Sequence, residues 1–193
     1  MKKGKTAKAK PIRQRAFAVR KLARWMLPFY EKVACDARYA VQWAKAVRET
    51  DIAEMQKLLR KAIGRRPIYA LASNSVGYFI DIPLPKPLLV ITNGTTIQPG
   101  LTQRTFNSAI HRAIAKSVIP MYREIAVNPV YAQEIVDAIN SKNEARLRQL
   151  VRSTVRSPYL TSVRIDFSGM FLGFKYPGSK FVYYNEVFRE YVV

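Results

Sequence analysis

Apolar residues recur at spacings of three and four through three successive stretches of the chain, then give way to short alternating runs, and the whole order is repeated. The first stretch predicts helices over Ala16 to Leu27, closed by Pro28, and over Asn107 to Ile119, closed by Pro120, because proline disfavours the helical conformation in the residue before it. Second helices are expected over Arg38 to Arg48 and over Pro129 to Asn140. Third helices are expected to start at Asp51 and Asn143, both good N-cap residues. Ile52, Met55, Leu58, Leu59 and Ile63 form the apolar stripe of one third helix; Leu147, Leu150, Val151 and Val155 form that of the other. Strand-like runs follow at Ile68 to Ala72, Val76 to Ile82 and Leu88 to Thr92, and again at Leu160 to Phe167, Met170 to Tyr176 and Phe181 to Tyr184. Short turn-rich connections imply antiparallel meanders, and Met170, Leu172, Phe174 and Tyr176 mark one apolar face.

The repetition has a fixed register. An offset of 92 positions aligns Arg20 to Asn93 with Arg112 to Asn185 without a gap, matching Pro28 with Pro120, Tyr30 with Tyr122, Tyr39-Ala40 with Tyr131-Ala132, Gly77 with Gly169, Phe79 with Phe171 and Asn93 with Asn185. The expected fold is therefore α+β: a tandem duplication of a module of about three helices and a three-stranded antiparallel meander, in a pseudo-twofold arrangement. Residues 1–15 read as a flexible basic arm, 16–93 as the first module, 94–107 as a linker rich in turn formers, and 108–193 as the second module.

Charge changes the picture most. The 193 residues carry 33 Lys plus Arg against 13 Asp plus Glu, a formal net charge of +20, while a hydrophobic content of 49% excludes a wholly disordered basic protein. Lys2, Lys3, Lys5, Lys8, Lys10, Arg13 and Arg15 lie in the arm, and Arg20, Lys21 and Arg24 follow before the first acid, Glu31. Lys57, Arg60, Lys61, Arg65 and Arg66 sit on or just beyond one third helix, and Arg148, Arg152 and Arg156 on the other. If the arrangement brings those helices to one side, the cations form a continuous strip. The cations of residues 1–15 and those of the two third helices are the expected contacts to a phosphate backbone.

Little else points to chemistry. The single histidine, His111, reads as a helix-surface or partly buried residue, and the single cysteine, Cys35, as a small core hydrophobe. No phosphate-cradling glycine loop, metal-ligand spacing or carboxylate pair stands out, so a non-enzymatic chain without cofactor or metal is expected. Strand tyrosines Tyr69, Tyr78, Tyr176, Tyr183 and Tyr184 either stack on bases or lie half-buried with their hydroxyls at the surface. Pro28-Phe29-Tyr30 and Pro120-Met121-Tyr122 read as corners between helices.

No run is long enough for a membrane span, and Arg20, Lys21 and Arg24 interrupt any apolar core of a secretion signal. A transit peptide shares the composition, but the stretch it would occupy is repeated inside the chain. The expected location is cytoplasmic or within a particle. The expected partner is nucleic acid, DNA or RNA, held with low sequence specificity. A structural or assembly role in a virus particle or other large complex, with self, acidic proteins or packaged nucleic acid as partners, is the alternative; an anionic membrane surface is a third possibility.

Overall fold

A computed structural model describes residues 15–86, 88–166 and 169–188. Helices α1 (Ala16–Cys35), α2 (Ala37–Glu49) and α3 (Ile52–Ile63) precede strands β1 (Ala70–Ser73), β2 (Gly77–Pro83) and β3 (Val90–Ile97). Helices α4 (Ser108–Val127), α5 (Pro129–Asn140) and α6 (Glu144–Thr154) then precede β4 (Leu160–Asp166), β5 (Gly169–Phe174) and β6 (Tyr183–Phe188). All strands join one antiparallel sheet in the order β1-β2-β3-β6-β5-β4. The molecule is α+β.

Helix starts follow local chemistry. Asp51 Oδ1 accepts the Glu54 N–H at 2.9 Å and Asn143 Oδ1 that of Arg146 at 2.9 Å; Asp36 and Asn128 cap α2 and α5 in the same way. The proline stops, by contrast, are overridden. α1 runs through Pro28 to Cys35 and α4 through Pro120 to Val127, so the expected corners at Tyr30 and Tyr122 lie mid-helix. An interior proline costs about 3 kcal/mol. Phe29, Tyr30 and Val33 beyond it are fully buried, as are Met121 and Tyr122 in α4, and each such side chain contributes about 1.5–3 kcal/mol. Burial outweighs the proline. Cys35 ends α1 exposed rather than in the core, and Val127, 92 residues on, is 67% exposed, because both stand at a helix end where the apolar stripe has run out.

Strand β3 continues to Ile97, so the start of the expected linker is a buried central strand and only residues 98–107 connect the halves. Thr95 and Thr96 are β-branched and suit a strand. Gly94 is required there, because a Cβ would stand 2.6 Å from the Tyr78 carbonyl oxygen and 2.7 Å from the Phe79 ring.

The helices cover one face of the sheet. Tyr78, Ile80 and Ile82 of β2, Ile91, Asn93, Thr95 and Ile97 of β3, Met170, Leu172 and Phe174 of β5, and Tyr183, Asn185 and Val187 of β6 share that face and are all buried. α1 and α4 pack antiparallel over the centre: Arg20 reaches the Ala126 carbonyl at the end of α4, and Arg112 the Ala34 carbonyl at the end of α1. Beneath them Tyr30, Asn93, Tyr122 and Asn185 close a ring of hydrogen bonds. Tyr30 Oη donates to Asn93 Oδ1 (2.8 Å), Asn93 Nδ2 to Tyr122 Oη (2.7 Å), Tyr122 Oη to Asn185 Oδ1 (3.0 Å), and Asn185 Nδ2 to Tyr30 Oη (2.6 Å). Tyr78 is wholly buried, not half-buried, and so are Tyr30 and Tyr122, because each hydroxyl finds a partner in the core. His111 is wholly buried as well, with Nε2 3.0 Å from Tyr78 Oη among the rings of Phe29, Tyr78 and Phe106.

Candidate nucleic-acid interface

The predicted cations occupy separate places. Lys2, Lys3, Lys5, Lys8, Lys10 and Arg13 lie outside the described residues; Arg15 is exposed at the N-cap of α1. Lys57, Arg60, Lys61, Arg65 and Arg66 are exposed along α3 and just after it, as are Arg148, Arg152 and Arg156 on and after α6. α3 packs beside β1 and α6 beside β4, the two outer strands. Five strand spacings of ~4.8 Å separate those edges by about 24 Å. The expected continuous strip does not form, because the central sheet pairing is β3 with β6 and each third helix is carried outward.

Some of these cations are engaged in the fold. Arg152 donates to the Leu160 carbonyl and so ties the end of α6 to the start of β4. Lys57 pairs with Glu54 at 2.9 Å, an exposed contact worth ~0–1 kcal/mol. Arg66 Nη1 lies 3.5 Å from the carbonyl oxygens of Arg24 and Trp25; the former is the acceptor that Pro28 leaves without its helical N–H. Arg60, Lys61, Arg65, Arg148 and Arg156 have no ion pair among the described residues.

Each basic group is larger than the sequence reading made it. Arg24 is exposed on α1 beside Arg66, and Lys21 spans from the Pro83 carbonyl to the Trp25 ring, 4.8 Å from its centroid. At the other edge Lys116 is exposed on α4 and shares a cleft with Arg156, with Lys175 and Lys180 on the adjoining β5–β6 connection. The signal for Arg24 and Lys116 was present: they are one position of the repeat, basic in both halves.

The other sheet face carries no helix among the described residues and has a different character. Phe79, Phe171 and Phe188 meet there, with ring centroids 6.3 Å and 5.9 Å apart for the two pairs that include Phe188. A hollow of about 310 Å³ beside them is lined by Arg164, Asp166, Tyr184 and Glu186. Burial, assisted by the neighbouring Asp166 charge, pushes the Glu186 carboxyl up to about 7. The sequence hid this carboxylate pair, since Asp166 and Glu186 are 20 residues apart and meet only through β5. Among the described residues that hollow is lined by two acids and one base.

Among the described residues no group of three or more His, Cys, Asp or Glu side chains is placed to hold a metal ion, and no helix is long and apolar enough to cross a membrane. Comparison with protein-family models, curated proteins and solved structures finds no match.

Proposed function

We propose that the chain is a non-enzymatic nucleic-acid-associated protein that holds the phosphate backbone with little reading of sequence. The reading rests on one observation. Taking away Lys2, Lys3, Lys5, Lys8, Lys10, Arg13 and Arg189 from the 33 bases, and Glu190 from the 13 acids, leaves 26 against 12 on the described residues, a surplus of 14. Much of that surplus stands at the two edges where α3 and α6 end, and surface cations without local partners are what a polyanion needs. With the groups about 24 Å apart and a rise of ~3.4 Å per base pair, a duplex must exceed about 7 base pairs to engage both.

The test is binding of a labelled duplex of about 20 base pairs followed by anisotropy as salt rises. A log–log slope of about −5 or steeper is expected, and sequence scrambling leaves it unchanged. Charge reversal at Arg60, Lys61 and Arg65 together weakens the complex and flattens the slope by about 2–3. No binding at ~50 mM salt, or binding indifferent to salt, overturns the reading.

We infer in addition that the halves descend from one duplicated unit. Several positions 92 apart hold equivalent roles: the limits of α1 and α4, the Arg20 and Arg112 contacts, and the Tyr39 and Tyr131 hydroxyls donating to the Leu58 and Leu150 carbonyls. An assembly role is the second reading, favoured by the aromatic sheet face that bears Phe79, Phe171 and Phe188. Concentration-dependent growth of the particle mass without nucleic acid supports that role; a monomer at all concentrations removes it.

A further inference from the structure

We propose that the cleft between α4, the end of α6 and the Tyr176 turn is a pocket for one unpaired nucleotide, its base on Tyr159 and its phosphate on Lys116 and Arg156. The inference rests on the nucleic-acid reading and narrows it to single strands. The cleft is an open groove of about 710 Å³, within the ~300–1,000 Å³ range of small-molecule sites. Two cations stand on its walls. Tyr159 is exposed at its mouth, and its ring lies 4.6 Å from that of Tyr176. Glu124 also lines the cleft, with Oε1 engaged by the Asn128 amide at 2.7 Å.

The hydroxyls there are poised for a ligand. Ser117 and Ser153 donate to the carbonyls of Ala113 and Leu150, which leaves lone pairs free to accept, while Thr154 donates to Val151 and also meets the Tyr131 hydroxyl. Tyr176 is different. It is 9% exposed; its buried Oη makes no hydrogen bond of ordinary length and angle, and the Ser117 and Ser157 hydroxyls are close enough to interact with it. A buried phenol without a well-formed hydrogen bond is costly, and an acceptor on a bound nucleotide would satisfy it. Pro120, moreover, supplies no N–H to the Lys116 carbonyl, so a further acceptor faces this part of α4.

The first half supplies an internal comparison. The positions 92 residues before Ser117, Tyr159 and Tyr176 are Trp25, Pro67 and Leu84. Trp25 packs against the core with Lys21 over its ring, so an indole stands where the second half has a serine. The first half has a hollow of about 480 Å³ at Arg65, Arg66 and Pro67, but it lacks the serine and both tyrosines of the second.

The test compares three labelled probes on the full chain at one salt concentration: a single strand of thymidylates, an abasic strand of equal length and a duplex. Wild type is expected to hold the thymidylate strand about tenfold more tightly than the abasic strand, the scale of one stacked base. Tyr159→Ala and Ser117→Trp should abolish that preference and leave abasic and duplex binding within about twofold, whereas Tyr159→Phe retains it. Tyr176→Phe should leave the thermal midpoint unchanged or raised while thymidylate binding falls about three- to tenfold. Equal affinity of wild type for thymidylate and abasic strands overturns the pocket, as does Tyr159→Ala weakening all probes alike. Failure of every probe to bind at ~50 mM salt overturns the nucleic-acid reading itself.

Discussion

Glu186 and His111 titrate in opposite senses, and their windows overlap. Burial lowers His111 to about 3 from an ordinary 6.5, so below pH ~6.5 the unfolded chain takes a proton that the folded chain refuses. Its contribution is present above 6.5 and is lost as pH falls toward 3. Glu186, raised from 4.5 to about 7, binds its proton more tightly when folded; its contribution is present below 4.5 and is lost as pH rises through 7. Between pH ~4.5 and ~6.5 the two slopes, each up to ~1.4 kcal/mol per pH unit, largely cancel. Glu186→Gln should unmask the histidine, so that urea midpoints fall steadily from pH 6.5 to 4.5 more steeply than in wild type. An unchanged profile refutes the assignment. The buried ring of tyrosines and asparagines is just as sensitive. Tyr30→Phe leaves Asn93 Oδ1 without its donor and removes an acceptor of Asn185 Nδ2, at a cost of about 1–3 kcal/mol. Tyr122→Phe strikes the same ring, so the double variant should cost less than the two singles together, as read by denaturant melts.

At the level of elements, α1 and α4 have the same length and limits 92 positions apart but begin differently. Asn107 caps α4 by accepting from the N–H groups of Ala109 and Ile110 at 2.9 and 3.0 Å; the residue 92 positions earlier, Arg15, makes no side-chain cap. Asn107→Ala should lower stability by about 1 kcal/mol, and Arg15→Asn should raise it by about 0.5–1 kcal/mol while removing one cation at the start of α1; thermal melts check both. Caps are short-range signals, which is why Asp51 and Asn143 were legible in the sequence along with the order of helices and strands. The proline stops misled for the complementary reason: whether Phe29 and Tyr30 lie against a core is a tertiary fact that outweighs a local one. The candidate site divides along the same line. Basic side chains are countable, but the separation of Arg60 from Arg152 is set by β3 pairing with β6, and nothing near either arginine encodes that pairing. Tyr159 and Tyr176 form a pocket only through the fold of the second half.

For the whole molecule, the centre of the sheet explains why two similar halves are one chain. Gly94 pairs across β3 and β6 with Glu186, and these are themselves positions 92 apart, as are Glu31 and Arg123, which meet at 3.0 Å, and Tyr30 and Tyr122, whose rings lie 4.9 Å apart. Residues so placed would face their own copies if either half paired with itself. Two first halves would set Glu31 against Glu31. Two second halves would set Arg123 against Arg123 and bring two buried Glu186 carboxyls together, where like charges close by cannot both ionise. The Tyr-Asn ring, by contrast, would survive in either pairing. Fragments divided within 98–107 and mixed should therefore associate as heterodimers, by native mass spectrometry, in preference to second-half homodimers, and the preference should grow as pH rises past about 7, where Glu186 ionises. Glu186→Gly in the second fragment should weaken that discrimination and remove its pH dependence, leaving the exposed Glu31–Arg123 pair to supply ~0–1 kcal/mol of partner choice. Fragments that stay apart when mixed, or second halves that pair with themselves as readily at pH 8 as at pH 5, would show that the two halves are not interchangeable descendants of a self-pairing unit.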